Sequence, residues 1–342
     1  MKRGFELLGP MMQGELPERV PVICNLFEQG AKVMGLPIQE YYSDVDHVVE
    51  GQIRLAEIYG HDNLWATLYA AIDAEFFGSQ KTIFAEDGPP NVGHLVIKNE
   101  EDIRKLTVPD NIHDSPVFAR EMDLVKKLKE KGNKKLPVCA YVVASFSLPV
   151  LLMGVDKWLT LLHTGSPSAR EELLAKCSDY TVKKTKALRE AGVDLIAYAN
   201  PIASATFINA KQFDELAAKW ITLDFKGAGP QNLVYFSGGG RIEPLLNQII
   251  TASGAGAYYL NPFDSIPGAK AKIGKKGLLV GVINCMKLVT WTRDEVRADV
   301  KRIMEQGMPG GGFLMGPLMM PYAIPEKNLH SMMEAAHEFG QY

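Results

Sequence analysis

The stretch PQNLVYFSGGG, Pro230 to Gly240, decides how the chain is read. Leu233 to Phe236 is a short apolar run bounded by turn-forming residues, the pattern of a buried strand. Gly238, Gly239 and Gly240 follow at once, so the chain turns sharply there and leaves its backbone open to close approach. In a barrel of parallel strands, the C-terminal end of each strand faces the active site. On that reading Tyr235 and Ser237 stand at the mouth of such a site.

Working outward, the same unit recurs. Apolar runs at 19–27, 64–72, 137–145, 194–199, 257–260, 278–283 and 312–315 read as further strands. Helical segments at 30–42, 44–59, 166–191, 210–220, 244–252, 266–273, 292–306 and 325–339 lie among them. Ser166 before Pro167 is a helix start, and Thr292 caps a helix with Asp294 and Glu295 in its first turn. The segment 80–97 contains Gly88-Pro89-Pro90 and reads as an excursion with short strands. Strands alternating with helices imply a parallel sheet. Roughly eight strands favour a closed barrel over an open sheet. No repeat or linker divides the chain. The expected fold is a single-domain (β/α)8 TIM barrel over residues 1–342, with residues 1–18 as an N-terminal helical extension.

Composition removes several classes of function. The chain has 342 residues, 46% of them hydrophobic, and a net charge of -3. That suits a globular protein with a sizeable core. No dense Lys/Arg tract is present, which argues against nucleic-acid binding. No apolar run approaches the ~18 residues that span a bilayer, and Met1 to Glu15 has no apolar stretch fit for a signal peptide. The expectation is a soluble cytoplasmic protein. Cys24, Cys139, Cys177 and Cys285 are far apart and form no CxxC pair, so no disulfide framework is expected. The seven histidines show neither HxH nor HxxxH spacing, which gives a His-rich metal centre little support.

Strand ends supply the candidate site: Asn25, Phe27 and Glu28; Tyr69, Asp73 and Glu75; then Asn200, Tyr235, Ser237, Asn261, Asp264, Asn284, Cys285 and Met319. The set is polar, mostly neutral and rich in asparagine, which donates and accepts at once and so suits a neutral or weakly charged substrate. Glu28 follows apolar residues just past a strand. Partial burial there raises a carboxyl pKa and makes a proton donor; the alternative is an exposed loop charge. Tyr235 either protonates a leaving oxygen, binds substrate, or plugs the core. Asp73 and Glu75 share a face if they lie in a strand, and otherwise form a capping or loop pair. Cys285 has no histidine near it in sequence to activate it, so packing outweighs nucleophilic catalysis. Met315, Met319 and Met320 form a deformable apolar patch after the last strand.

Read together, RVPV at 19–22, AEFFG at 74–78, AGVDLIAYANPIAS at 191–204, LVYFSG at 233–238, GLLVGVIN at 277–284 and GGGFLMGP at 310–317 resemble the uroporphyrinogen decarboxylase superfamily, including its cobamide-dependent methyltransferase branch. The resemblance covers nearly the whole chain and implies the (β/α)8 fold. Decarboxylases of that family carry Arg-Gln-Ala-Gly-Arg after the first strand to grip substrate carboxylates. Here the segment is Asn25-Leu-Phe-Glu-Gln-Gly30, without arginine. The thiol-methylating branch binds zinc through His-x-Cys-Gly and a later cysteine; those positions correspond here to Tyr235, Ser237, Gly238 and about Met319. The resemblance therefore implies a corrinoid-dependent methyltransferase with a metal-poor centre, in which zinc is doubtful. It would move a methyl group between a small O- or N-methylated compound and a separate corrinoid (cobalamin) protein. Glu28 and Tyr235 are its expected catalytic residues, and a homodimer is compatible with it. The alternatives are a decarboxylase or lyase acting on another substrate, and a non-catalytic barrel that binds a tetrapyrrole or a corrinoid protein.

Overall fold

Strands with no polar face, such as LLVGVI at Leu278–Ile283, need cover on both sides, which a barrel ringed by helices provides. The computed structural model describes residues 2–274 and 277–342. Its strands are β1 (Leu64–Trp65), β2 (Thr82–Ile83), β3 (Asn91–Val92), β4 (Val138–Val143), β5 (Leu195–Ala199), β6 (Leu233–Phe236), β7 (Ala257–Tyr259), β8 (Leu278–Ile283) and β9 (Phe313–Pro317). Seven of them form one parallel sheet in the order β1-β4-β5-β6-β7-β8-β9, while β2 and β3 pair as a separate antiparallel hairpin.

The sheet curls until residues 20–24 join its two edges. On one side Ile23 N–H donates to Met315 O at 2.9 Å and Met315 N–H to Pro21 O at 3.0 Å. On the other side Asp62 N–H donates to Val22 O at 2.9 Å. Side chains complete that second seam: Asp62 Oδ2 accepts from Val22 N–H at 2.8 Å and Asn63 Oδ1 from Cys24 N–H at 2.9 Å. Asp62 is held in turn by Arg19 through two bonds of 2.7 and 2.8 Å, with both side chains wholly buried. The RVPV stretch thus serves closure: its arginine fixes the aspartate that grips the seam. The result is a TIM-like barrel.

The helix Pro167–Glu190 matches its sequence reading, with Ser166 Oγ accepting from Ala169 N–H. Other expectations are corrected. The run 64–72 is a strand only at Leu64–Trp65, and the short helix Ile72–Phe76 follows, so Asp73 and Glu75 do not lie in a strand. Residues 30–42 divide into Gln29–Met34 and Ile38–Ser43, because Gly35 adopts φ 68°, a left-handed value that ends a helix. Helices Pro149–Met153 and Val155–His163 follow β4; the first is a short apolar run with no helical period to read, and the second buries Trp158, Leu161 and Leu162 against an exposed face of Asp156, Lys157 and Thr160. At the N-terminus, the helix Phe5–Met12 is tied down by Gly4 N–H to Asp62 Oδ1 at 3.2 Å and Phe5 N–H to Lys135 O at 2.8 Å.

Candidate active site at the C-terminal mouth

Strand alternation decides which side chains enter the barrel. Phe236 of β6 meets Tyr259 of β7 edge-on at 4.8 Å and Tyr141 of β4 at a tilt at 5.4 Å. Tyr141 lies flat on Trp65 at 4.6 Å, and Phe27 touches both of those rings at 5.5 and 5.6 Å. These five rings form an aromatic layer across the barrel. None of them except Phe27 stood among the sequence candidates. In β6 both faces are apolar, so no period of two marked Phe236 as the inward residue.

Tyr235, one position away, points outward. It packs on Tyr198 at 5.8 Å, Tyr198 packs on Phe225 of the helix Ala218–Ala228, and Tyr235 is 0% exposed. Its hydroxyl donates to Ala203 O at 3.5 Å. Burial drives its pKa upward, away from proton release. The expected proton donor at Tyr235 does not fit this placement.

Glu28 does sit at the mouth. It precedes the helix Gln29–Met34, is 3% exposed, and accepts from Tyr42 OH at 3.2 Å. Burial raises its pKa, so the neutral acid is favoured. Tyr42 meets Tyr69 edge-on at 5.3 Å, and Tyr69 meets Phe84 at 5.7 Å. These three rings, with Glu75, Thr82 and Arg120, line a recess of about 440 Å³ beside β1. Glu75 accepts from Tyr69 OH at 2.9 Å and lies 3.8 Å from Arg120. Asp73, its expected twin, turns away to Lys184 at 2.6 Å, and Lys184 also bonds Glu121 at 2.9 Å.

The remaining candidates follow the closing segment and the strands β5 to β8. Asn25 Nδ2 donates to Pro317 O at 2.9 Å, leaving its buried Oδ1 without a protein partner. Asn200 Oδ1 accepts from Ser147 Oγ at 2.7 Å while its Nδ2 is buried and unpaired. Ser237 Oγ donates to Leu260 O at 3.1 Å, Asn261 Nδ2 to Gly239 O at 2.6 Å, and Asp264 accepts from Ile242 and Asn261 N–H at 3.0 Å each. Those three tie the loops after β6 and β7 together. Asn284 Oδ1 accepts from Lys287 N–H at 3.2 Å and starts a helical turn. Cys285 is buried, and its thiol is pushed up to about 11 by that burial. This suits packing rather than nucleophilic attack.

Around the mouth, four large apolar side chains are exposed: Phe207 after β5, Phe263 after β7, Met286 after β8 and Met319 after β9. Phe263 and Met286 are 67% and 68% exposed. No group of three or more His, Cys, Asp or Glu able to hold a metal occurs among the described residues. At the positions the zinc branch would use, Tyr235 faces the helices, Ser237 is spent on Leu260 O, and Met319 lies on the rim. These side chains do not fit a zinc centre.

Parallel strands with acid, amide and exposed apolar groups gathered at their C-terminal ends have the layout of a barrel enzyme. The family model for uroporphyrinogen decarboxylase (URO-D) matches residues 5–339, and the chain belongs to that family. It is 26% identical over 332 residues to methylcobamide:CoM methyltransferase MtbA of Methanosarcina mazei, covering 94% of each chain. It is 30% identical over 205 residues to MtbA of Methanosarcina acetivorans, covering 58% of this chain and 59% of that one. Among solved structures it resembles a methyltransferase from Methanosarcina mazei, with a TM-score of 0.85 at 18% identity over 99% of each chain. No helix among the described residues is long and apolar enough to cross a membrane.

Proposed function

We propose that the chain is a methyltransferase that moves a methyl group between a small O- or N-methylated compound and the corrinoid of a separate protein. The observation that carries this reading is a URO-D barrel whose relatives are named as methylcobamide methyltransferases, with an exposed apolar rim around its mouth. Phe207, Phe263, Met286 and Met319 offer the kind of surface a partner covers on docking. The bound corrinoid would supply the nucleophile for the methyl group. The barrel's own task is then to orient the methyl compound, exclude water and help the leaving group depart.

For an O-methyl donor the departing oxygen needs a proton. Burial raises the pKa of Glu28 toward proton retention, and with Tyr42 bonded to Oε1 its Oε2 would serve the leaving oxygen. For a quaternary ammonium donor no acid is needed, and the faces of Phe27 and Tyr69 would attract the cation. The relatives' names specify coenzyme M as their partner in methyl transfer. A thiol of that kind is activated by deprotonation, and the outward Tyr235 and spent Ser237 give no thiolate-stabilising donors at the positions considered.

The test pairs a reduced corrinoid protein with candidate methyl donors and follows corrinoid methylation by absorbance. Glu28→Gln is expected to slow turnover of O-methyl donors about 10²–10⁴-fold, the usual worth of a general acid, and to spare quaternary ammonium donors. The double variant Phe263→Asp/Met286→Asp should abolish corrinoid-protein binding in calorimetry while leaving the thermal transition in place. Turnover with no donor of either class, together with undiminished docking by the rim variant, would overturn the reading.

A further inference from the structure

The opposite end of the barrel holds a second cavity, of about 590 Å³, at the N-terminal ends of the strands. Barrels of this type normally fill that level with branched side chains. Here the lining includes Cys139, Ala197 and Ala257, with Gly256, Gly277 and Gly312 at the strand starts. Small residues leave the space open. Trp65 and Tyr259, from the aromatic layer, also line it, as do Leu8 and Met11 from the helix Phe5–Met12. The lip carries Met12 and Leu16, which are 79% and 59% exposed.

Inside the cavity the polar groups are already engaged, while Glu15 stands exposed to solvent at the lip. Trp65 Nε1 donates to Cys24 O at 2.7 Å, and Tyr259 OH to Pro317 O at 2.5 Å. Lys270 Nζ, the lining ammonium group, donates to Pro309 O at 2.6 Å and Gly311 O at 3.0 Å. A charged group carried past the lip into the interior would lose its hydration without gaining free partners there. Water gains little in such a space, whereas apolar molecules enter apolar cavities readily.

We infer that this cavity is a binding site for a small uncharged apolar molecule, an aromatic hydrocarbon in its simplest form, entered past Leu16 and separate from the mouth. The inference does not depend on the methyl-transfer reading, and its test uses no turnover. Benzene is the probe, with benzoate and benzylamine as charged controls, read by calorimetry and thermal shift on the full chain. One benzene should bind saturably and raise the melting temperature, while the charged analogues bind at least ten-fold more weakly. Ala257→Leu fills the space and should weaken benzene at least ten-fold. Leu16→Asp, at an exposed position that spares the core, should weaken it as well. Xenon-pressurised crystals should place xenon beneath Trp65 whether or not the filling variant folds. Non-saturable benzene, equal binding of benzoate, or xenon absent from this cavity would overturn the inference.

Discussion

Arg19→Met tests whether one ion pair holds the barrel shut. The substitution removes both bonds to Asp62, at 2.7 and 2.8 Å, in a place where neither side chain meets solvent. Asp62 keeps Val22 N–H at 2.8 Å and Gly4 N–H at 3.2 Å but loses the cation bonded to it, with the Arg3 guanidinium remaining nearby. Breaking a buried pair from one side costs about 3–5 kcal/mol, because the buried carboxylate loses its bonded partner. Unfolding entropy of about 2.1 cal/mol/K per residue, over 342 residues, amounts to roughly 0.7 kcal/mol/K. The melting temperature should therefore fall by about 4–7 °C. Calorimetry gives that shift, and hydrogen exchange at Val22 and Ile23 reports whether the seam opens before the rest. Adding Asp62→Asn removes the carboxylate charge and retains an acceptor for Val22, so the double variant should recover at least ~1 kcal/mol. A single-variant loss below ~1 kcal/mol, or two losses that simply add, would refute the idea that the pair secures the closure.

Asp224 is buried with no cation paired to it among the described residues and accepts from Ser145 Oγ, Ser178 Oγ and Tyr198 OH at 2.6, 2.5 and 2.6 Å. Burial lifts its pKa from 3.8 to about 6. An acid raised in the folded state stabilises the fold fully below its unfolded pKa and loses that contribution as pH climbs through about 6. Comparing wild type with Asp224→Asn by urea denaturation should show their stability gap changing by about 2 kcal/mol between pH 4 and pH 7; a flat gap refutes the shift. Lys184→Met leaves Asp73 and Glu121 facing each other in the core and should cost about 3–5 kcal/mol at pH 7. Burial already favours protonation of Glu121, so the loss should shrink on acidification; an equal urea midpoint shift at pH 5 and pH 7 argues against the triad.

Much of the architecture was legible because several helices carry local punctuation. Ser166-Pro167 and Thr292 with Glu295 announce helix starts that the structure keeps. Glu28 was legible for a similar reason, as a carboxylate placed directly after apolar residues. What escaped reading depends on partners far along the chain. Nothing beside Arg19 in sequence predicts Asp62, and nothing beside Trp65 predicts Tyr141. The fault at Tyr235 is one of register: a strand covered on both faces carries no polar alternation, so the inward and outward residues look alike until neighbouring strands fix them.

The seam between residues 20–24 and β9 carries a consequence for biogenesis. Val22 leaves the ribosome 293 residues ahead of its lateral neighbour Met315. Until β9 emerges the growing sheet must have two bare edges, each able to recruit a stray strand. Chains cut short before β9 should therefore be the aggregating species, and a permuted gene that makes these two segments adjacent should mature faster and stay dispersed.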